Sequence, residues 1–420
     1  MNSQLTFERR SWASNIDQFR FSLLILLAVM IPFDVGFVFI VLPTLSIVLL
    51  FVSDNFNIRS TIVHVTRLGF LMTLLFFVHG VWFLKWVAEQ SSAGYVEKML
   101  PMFLFPLMIF STRITHERFL VIAKSFIWTV ITSYMLSLMA AVYHYFFSVA
   151  RWGRPSDFFF HEQFTAGLFN IHPTYYALFG CLATLLAFSV FSVRLRILTI
   201  LLLTVGILLI NARITFIVQM VVIGYNMIKG FSSGFSFLKF ILVLLMAIAL
   251  FLTLRFFNSI YDYPHRKLLV NLDTAWERSY AGDISDGDGG IVLRMAIWRS
   301  SVKLFQDHPV FGIGLGYEED FLVEEYKAKN QPHLYQSHFN AHNQLLSYLI
   351  GMGALGCLAL GCVYGIFVRD AVLNRKWYYF EFLTIFLIVG LTESVLNRLL
   401  GVAMFSFFHA LMIKKFDPKK

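Results

Sequence analysis

The sequence predicts an all-α, polytopic membrane protein of about twelve transmembrane helices. Of its 420 residues 58% are hydrophobic and only 14% charged, and the mean hydropathy is +0.70, well above what a soluble chain carries. The apolar residues fall into runs approaching the about 20 residues needed to cross a hydrocarbon core. Basic residues gather in alternate connections between those runs, as chain orientation in a membrane requires.

The runs lie near residues 19–33, 35–52, 61–84, 99–111, 119–149, 165–191, 194–210, 214–228, 236–257, 342–368, 378–393 and 396–413. The first two are split at Pro32 and Asp34, and the fourth is short and carries Pro101 and Pro106. Glu8, Arg9, Arg10, Asp17 and Arg20 precede the first apolar run, and no short apolar region with a small-residue cleavage site follows. The first span is therefore expected to remain as an anchor. The chain divides into spans one to nine (1–257), a polar interval (258–341), and spans ten to twelve with a basic tail (342–420). Cys181, Cys357 and Cys362 all sit in apolar runs and the polar interval has none, so disulfides are not expected to hold it together.

With the N terminus inside, every inner connection is basic: Arg9/Arg10/Arg20, Arg59, Arg113/Arg118, Arg194/Arg196, Lys229/Lys239, Arg369/Arg375/Lys376 and Lys414/Lys415/Lys419/Lys420. The net charge of +9 and pI near 9.4 then speak for anionic lipid at the inner membrane surface rather than nucleic acid. The interval 258–341 then falls outside, which is the periplasm if the source is a Gram-negative bacterium.

Some basic residues break that rule. Arg151 and Arg154 (RWGRP), Arg213 (NARITF) and Arg398 (TESVLNRLL) fall at outer connections, where basic residues are disfavoured. Any one of them could snorkel to lipid phosphates or pair with a carboxylate, as Glu393 could with Arg398. Together, on the same side as His342, they point to an anionic ligand at the outer boundary.

Within the outer interval, Arg294 to Asp307 reads as an amphipathic helix with Met295, Trp298, Val302 and Phe305 on its apolar stripe, and Glu318 to Lys329 as a second, charged helix. HPVFGIGLG between them is expected to turn the second helix back over the membrane. Its GxGxG lacks a preceding strand and is weak as a nucleotide loop. Asp283, Asp286 and Asp288 in DISDGDGG lack the calcium-loop spacing, which leaves a solvated loop as the expectation. His333, His338 and His342 have only loosely ligand-like spacing, so no metal is expected. His172-Pro173 interrupts the sixth span near its outer end, where it either borders a cavity or only kinks the helix.

The run His342 to Gly356, HNQLLSYLIGMGALG, is where the polar interval meets the tenth span. Asn340 and Asn343 flank His342 with helix-starting chemistry. Leu346, Leu349, Gly353 and Gly356 follow at steps of three and four, and Gly361 and Gly365 are expected to extend this small-residue packing surface. A lone histidine here would ordinarily be a cap or an interfacial residue. A helix N-terminus and nearby arginines disfavour imidazolium, and a neutral ring can accept a proton from an attacking hydroxyl. Guanidinium groups suit phosphate oxygens.

The pattern His-Asn, nine residues, Gly, two residues, Gly resembles the signature of the O-antigen ligase and polymerase superfamily of bacterial envelope glycosyltransferases. Arg213 opening a span, Arg294 to Trp298 followed by HPVFGIGLG, and Glu393 to Arg398 between the last two spans are also family-like, and together these marks cover the second half of the chain. The first 150 residues carry no such mark. The resemblance implies a GT-C-type fold and transfer of a glycan from undecaprenyl pyrophosphate to a hydroxyl of lipid A-core oligosaccharide, without metal, nucleotide or other cofactor. It implies His342 as general base and Arg213 and Arg294 on the pyrophosphate. Arg151, Arg154, Arg299 and Arg398 are phosphate candidates by position, with Asn343, His338 and His172 in support. An O-antigen polymerase or a protein O-oligosaccharyltransferase would share the histidine motif. A transporter or lipid-glycan flippase would be expected to carry its charges at mid-membrane depth, whereas here they cluster at outer ends.

Overall fold

The computed structural model describes residues 2–52, 74–81, 93–152, 163–229, 272–285, 288 and 290–415. Among them there is no strand. The helices are α1 (Asn2–Met30), α2 (Val38–Val52), α3 (Ala93–Ser111), α4 (His116–Trp152), α5 (Gln163–Ala166), α6 (Pro173–Val190), α7 (Val193–Ile210), α8 (Arg213–Lys229), α9 (Leu272–Arg278), α10 (Gly290–Asp307), α11 (Glu318–Ala328), α12 (Pro332–Gln336), α13 (Gln344–Leu373), α14 (Trp377–Gly390) and α15 (Leu399–Lys415). Residues 74–81 are also helical. Among the described residues, five stretches are long and apolar enough to cross a membrane: Asn15–Phe33, His116–Phe147, Pro173–Val190, Val193–Ile210 and Gln344–Leu373, with Val38–Leu50 and Trp377–Gly390 apolar but shorter. The run expected at 236–257 lies outside the described residues, as does all of 61–84 except 74–81.

The last helix is the centre of the bundle. Every residue of α15 from Leu400 to Lys414 is buried, so it has no lipid-facing side. Its rings interlock with three neighbours: Phe407 on Phe105 of α3, Phe408 on Phe126 of α4 and Phe405 on Phe382 and Phe386 of α14. Lys414 donates to the carbonyls of Ile109, Phe110 and Thr112 at the end of α3, a cation on orphaned C-terminal carbonyls. The helix α6, buried from Tyr175 to Ala187, lies beside α4, α7 and α8. At Gly180 and Gly206 the missing side chains admit the ring of Tyr134, whose hydroxyl donates to the Tyr176 carbonyl. Arg20, expected in the leading segment, instead lies within α1, where its guanidinium donates to Ser46 and Ser111 and ties α1 to α2 and α3.

Helices α9–α12 and the start of α13 share a second, smaller core of Ala275, Ile297, Leu304, Leu322, Tyr326, Leu334 and Ile350. Both outer helices expected from the sequence are present, but α10 is rotated from its predicted stripe. Val292, Ala296, Ile297, Ser300, Ser301 and Leu304 are buried, while Val302 is exposed. Alanine and serine on the buried face let α11 and α13 approach closely, which outweighs the larger side chains on the predicted stripe.

Candidate active site

The tenth expected span starts two residues later than the apolar run suggests. Asn343 is the N-cap of α13: its Oδ1 accepts from the Leu346 N–H at 3.1 Å, satisfying one of the helix's orphaned donors. His342 precedes the helix in a left-handed backbone conformation, φ 42°, and its N–H donates to Asn340 Oδ1 at 2.9 Å. The two asparagines thus shape the turn on either side of the histidine.

That turn is stitched to the connection between α14 and α15. The Asn343 N–H donates to Ser394 Oγ at 3.2 Å and its Nδ2 to the Leu391 carbonyl at 3.0 Å. Ser347 and Ser394 share a hydroxyl hydrogen bond at 2.8 Å, and Gln344 Oε1 accepts the Leu396 N–H at 2.6 Å. These bonds fix Glu393 beneath the histidine ring, with Glu393 Oε2 3.2 Å from His342 Nδ1. The Glu393 side chain is buried and its second oxygen accepts the Ser394 N–H. Burial alone would favour the neutral acid; the hydrogen bond and charge of His342, with His172 and Arg398 adding, outweigh it and hold the carboxyl at about 2. An ionised carboxylate accepts only, so Nδ1 carries the proton in this hydrogen bond, and in the neutral form of the ring Nε2 is the nitrogen with the free lone pair. The sequence offered Glu393 as a partner for Arg398; its hydrogen bond is to His342.

From below, α13 is held by a break. Gly353 has φ 64° and ψ −171° inside the helix, a conformation essentially confined to glycine. HPVFGIGLG inserts there. Ile313 and Gly314 donate to the carbonyls of Ile350 and Gly351, and Ala354 and Leu355 donate to those of Pro309 and Val310. The break frees helical donors and acceptors, and the loop's backbone satisfies them. Among the described residues, a Cβ at Gly361 or Gly365 would meet nothing within 4 Å, so none of them packs on the surface these two glycines were expected to extend.

Further groups lie around the pair. His172 is the N-cap of α6, ahead of Pro173; burial is the main reason its ring is held below the ordinary histidine range, with Arg398, His342 and Arg294 acting the same way and Glu393 opposing. His172 Nδ1 and Arg294 Nε are both buried without a hydrogen-bond partner. Among the described residues Arg294, on α10, otherwise donates only to the Gly290 carbonyl, at 3.4 Å. Arg398 is exposed; its carbonyl accepts the Val402 N–H, while its guanidinium donates to no group among the described residues. The site therefore brings together His342, Glu393, His172, Arg294 and Arg398, with unused donors on its wall.

The remaining candidates are placed differently. Arg213 is the first residue of α8 and half-buried. Arg299 stacks 3.0 Å from the Tyr280 ring centroid and donates to the Ser279 carbonyl at 3.0 Å, which fastens α9 to α10. Arg151 lies in the last turn of α4 and Arg154 outside the described residues. His338 is exposed, 3.8 Å from Glu319, and His333 packs on Phe339, which in turn packs on His342. Asp283 and Asp288 are both held by Arg278, so this part of DISDGDGG is clamped, while Asp283 stays exposed to solvent as expected. Among the described residues no three His, Cys, Asp or Glu side chains converge as metal ligands.

A search of curated proteins returns no match to the chain. Residues 198–361, which run from α7 through Arg213, Arg294 and the glycine loop to His342 and the α13 break, match the family model described as O-antigen ligase. That match, over the segment that builds most of the site, supports a place for the chain in the O-antigen ligase and polymerase superfamily.

Proposed function

We propose that this protein is an O-antigen ligase with a twelve-span, GT-C-type architecture in the bacterial inner membrane, its site open to the periplasm. It transfers a glycan from undecaprenyl pyrophosphate to a hydroxyl of lipid A-core oligosaccharide, with no metal or cofactor. The observation that carries this reading is the His342–Glu393 pair beside Arg294, whose buried Nε has no hydrogen-bond partner among the described residues, and Arg398, which lies within electrostatic reach of Glu393.

In this mechanism His342 Nε2 takes the proton of the acceptor hydroxyl as its oxygen attacks the anomeric carbon of the donor. The new C–O bond forms as the bond to the pyrophosphate oxygen breaks, and the electron pair leaves with the pyrophosphate. Glu393 holds the ring in the tautomer with Nδ1–H and stabilises the imidazolium that forms, as the carboxylate does in a Ser-His-Asp triad. Arg294 and Arg398, with Arg213, neutralise the leaving group through charge-assisted hydrogen bonds. Arg151, Arg154 and Arg299 are weaker phosphate contacts in this scheme, and Asn343 fixes the histidine turn.

The test is glycan transfer by purified protein in nanodiscs, with lipid-pyrophosphate glycan donor, lipid A-core acceptor and EDTA present. Wild type is expected to transfer and His342→Ala to lose transfer. Undiminished transfer by His342→Ala overturns the general-base role. Donor consumption only when a second lipid-linked glycan replaces lipid A-core would make the protein a polymerase.

A further inference from the structure

The turn between α1 and α2 reaches the same site, although nothing in the first 150 residues resembles the superfamily's marks. The ring of Phe33 packs on Phe169 at 5.2 Å, three residues ahead of His172. A Cβ on Gly36 would meet the Leu399 side chain at 3.2 Å, one residue past Arg398. Asp34 lies between these two anchors. It is itself held in the left-handed conformation, φ 52° and ψ 41°, its N–H donating to the Ile31 carbonyl. That conformation is uncommon for a residue with a side chain and concentrates at functional sites.

The Asp34 carboxylate accepts no hydrogen bond among the described residues. Asp34 is exposed and lies within electrostatic reach of Arg398, without a direct ion pair between them, and partial burial raises its carboxyl above the ordinary range against that arginine's pull. A carboxylate beside a phosphate-binding arginine repels phosphate, so its own ligand must be neutral and rich in donors. Vicinal sugar hydroxyls meet that description, because a carboxylate's two oxygens accept from two of them at once.

Resting on the ligase reading, we propose that Asp34 is a substrate-binding residue of the His342 site that accepts hydrogen bonds from sugar hydroxyls. Those hydroxyls belong either to the first sugar of the donor or to the acceptor core, and the experiment separates the two.

Equilibrium binding to full-length protein in nanodiscs is measured for three ligands: undecaprenyl-pyrophosphate-linked glycan, lipid A-core, and bare undecaprenyl pyrophosphate. Wild type is compared with Asp34→Asn and Asp34→Gly, both of which tolerate a left-handed residue and so keep the turn. Losing a charged hydrogen-bond acceptor is expected to weaken one of the two sugar-bearing ligands at least tenfold in both variants, while bare undecaprenyl pyrophosphate binds as before. Weakening confined to lipid A-core assigns Asp34 to the acceptor; weakening confined to the linked glycan assigns it to the donor. Unchanged binding of both sugar-bearing ligands overturns the proposal. So does equal weakening of the bare pyrophosphate, which would make Asp34 a positioning residue for Arg398. No binding of any sugar-bearing ligand by wild type overturns the proposal and the ligase reading together. Sugar-dependent weakening without glycan transfer by wild type upholds Asp34 and counts against the ligase reading alone.

Discussion

Gly312 and Gly353 meet backbone to backbone: a Cβ built on either would lie 2.6 Å from the other's nitrogen. Both glycines also have positive φ, 67° and 64°. The contact joins the loop ahead of α11 to the break in α13, nine residues beyond the start of the helix that carries the histidine turn. Gly353→Ala and Gly312→Ala are each expected to cost at least about 3 kcal/mol, from backbone strain plus a clash that no side-chain rotation relieves. Gly361→Ala, with open space around it, should leave the melting temperature in nanodiscs unchanged or slightly raised. An unaltered melting temperature for Gly353→Ala would show that the loop does not brace the helix.

Glu318, the first residue of α11, is buried; its Oε2 accepts the Gly316 N–H at 2.7 Å and its Oε1 lies against Gly351. Burial pushes its carboxyl up to about 7, with the Gly316 hydrogen bond and Lys98 opposing. In the unfolded chain it titrates near 4.3. The folded state therefore binds the extra proton between these values, and its stability falls as pH rises from about 4.5 through 7. Glu318→Gln keeps an acceptor for Gly316 and cannot ionise. Its melting temperature should match wild type at pH 5 and exceed it at pH 8.5; parallel curves at both pH values would contradict this.

Arg294 and Arg398 are distinguishable from mere counter-charges. Lysine preserves the charge but loses the planar fork that meets two phosphate oxygens. Arg294→Lys and Arg398→Lys are each expected to lower kcat/KM for the lipid-pyrophosphate donor about tenfold or more, with the acceptor KM unmoved, since one charge-assisted hydrogen bond is worth about 1.5–3 kcal/mol. Steady-state kinetics with each substrate varied in turn check this, and full donor kinetics in Arg294→Lys would remove it from the phosphate set.

What the sequence made legible was mostly local. The outer helices expected over 294–307 and 318–329 follow from periodicity and composition, the first beginning four residues earlier in the structure, and Asn343 as a cap follows from its place before an apolar run. Long-range partners were not legible. Glu393 stood five residues from Arg398 and 51 from His342, so proximity along the chain suggested the wrong partner. Glycines presented the same difficulty. Spacing put Gly353, Gly356, Gly361 and Gly365 on one surface, yet only the arrival of HPVFGIGLG distinguishes a glycine that breaks the helix from one that merely faces open space. Asp34 looked like a polar residue dividing two short spans. Its neighbours Arg398 and Tyr175 lie 364 and 141 residues away along the chain, beyond any periodic pattern.

The Glu393–His342 pair makes the last prediction, and it has two separate readouts. Glu393→Gln retains an oxygen for Nδ1–H, so the ring stays oriented, but removes the charge that stabilises imidazolium as the acceptor proton arrives. About a 100-fold fall in kcat with little change in either KM is expected, within the usual range for general-base assistance. Glu393→Asp keeps the charge and withdraws it by one methylene, so it should lie between. Stability supplies the independent check. The folded carboxyl is held at about 2 against about 4.3 unfolded, so its stabilising contribution is full above the unfolded value and is lost as pH falls from about 4.5 toward 2. Wild type should therefore lose melting temperature over that window more steeply than Glu393→Gln. If kcat falls 100-fold in the variant while the acid limbs of the two melting curves coincide, the carboxylate acts in turnover without being held ionised by the histidine in the resting protein. If kcat is unchanged, Glu393 braces the turn and takes no part in proton transfer.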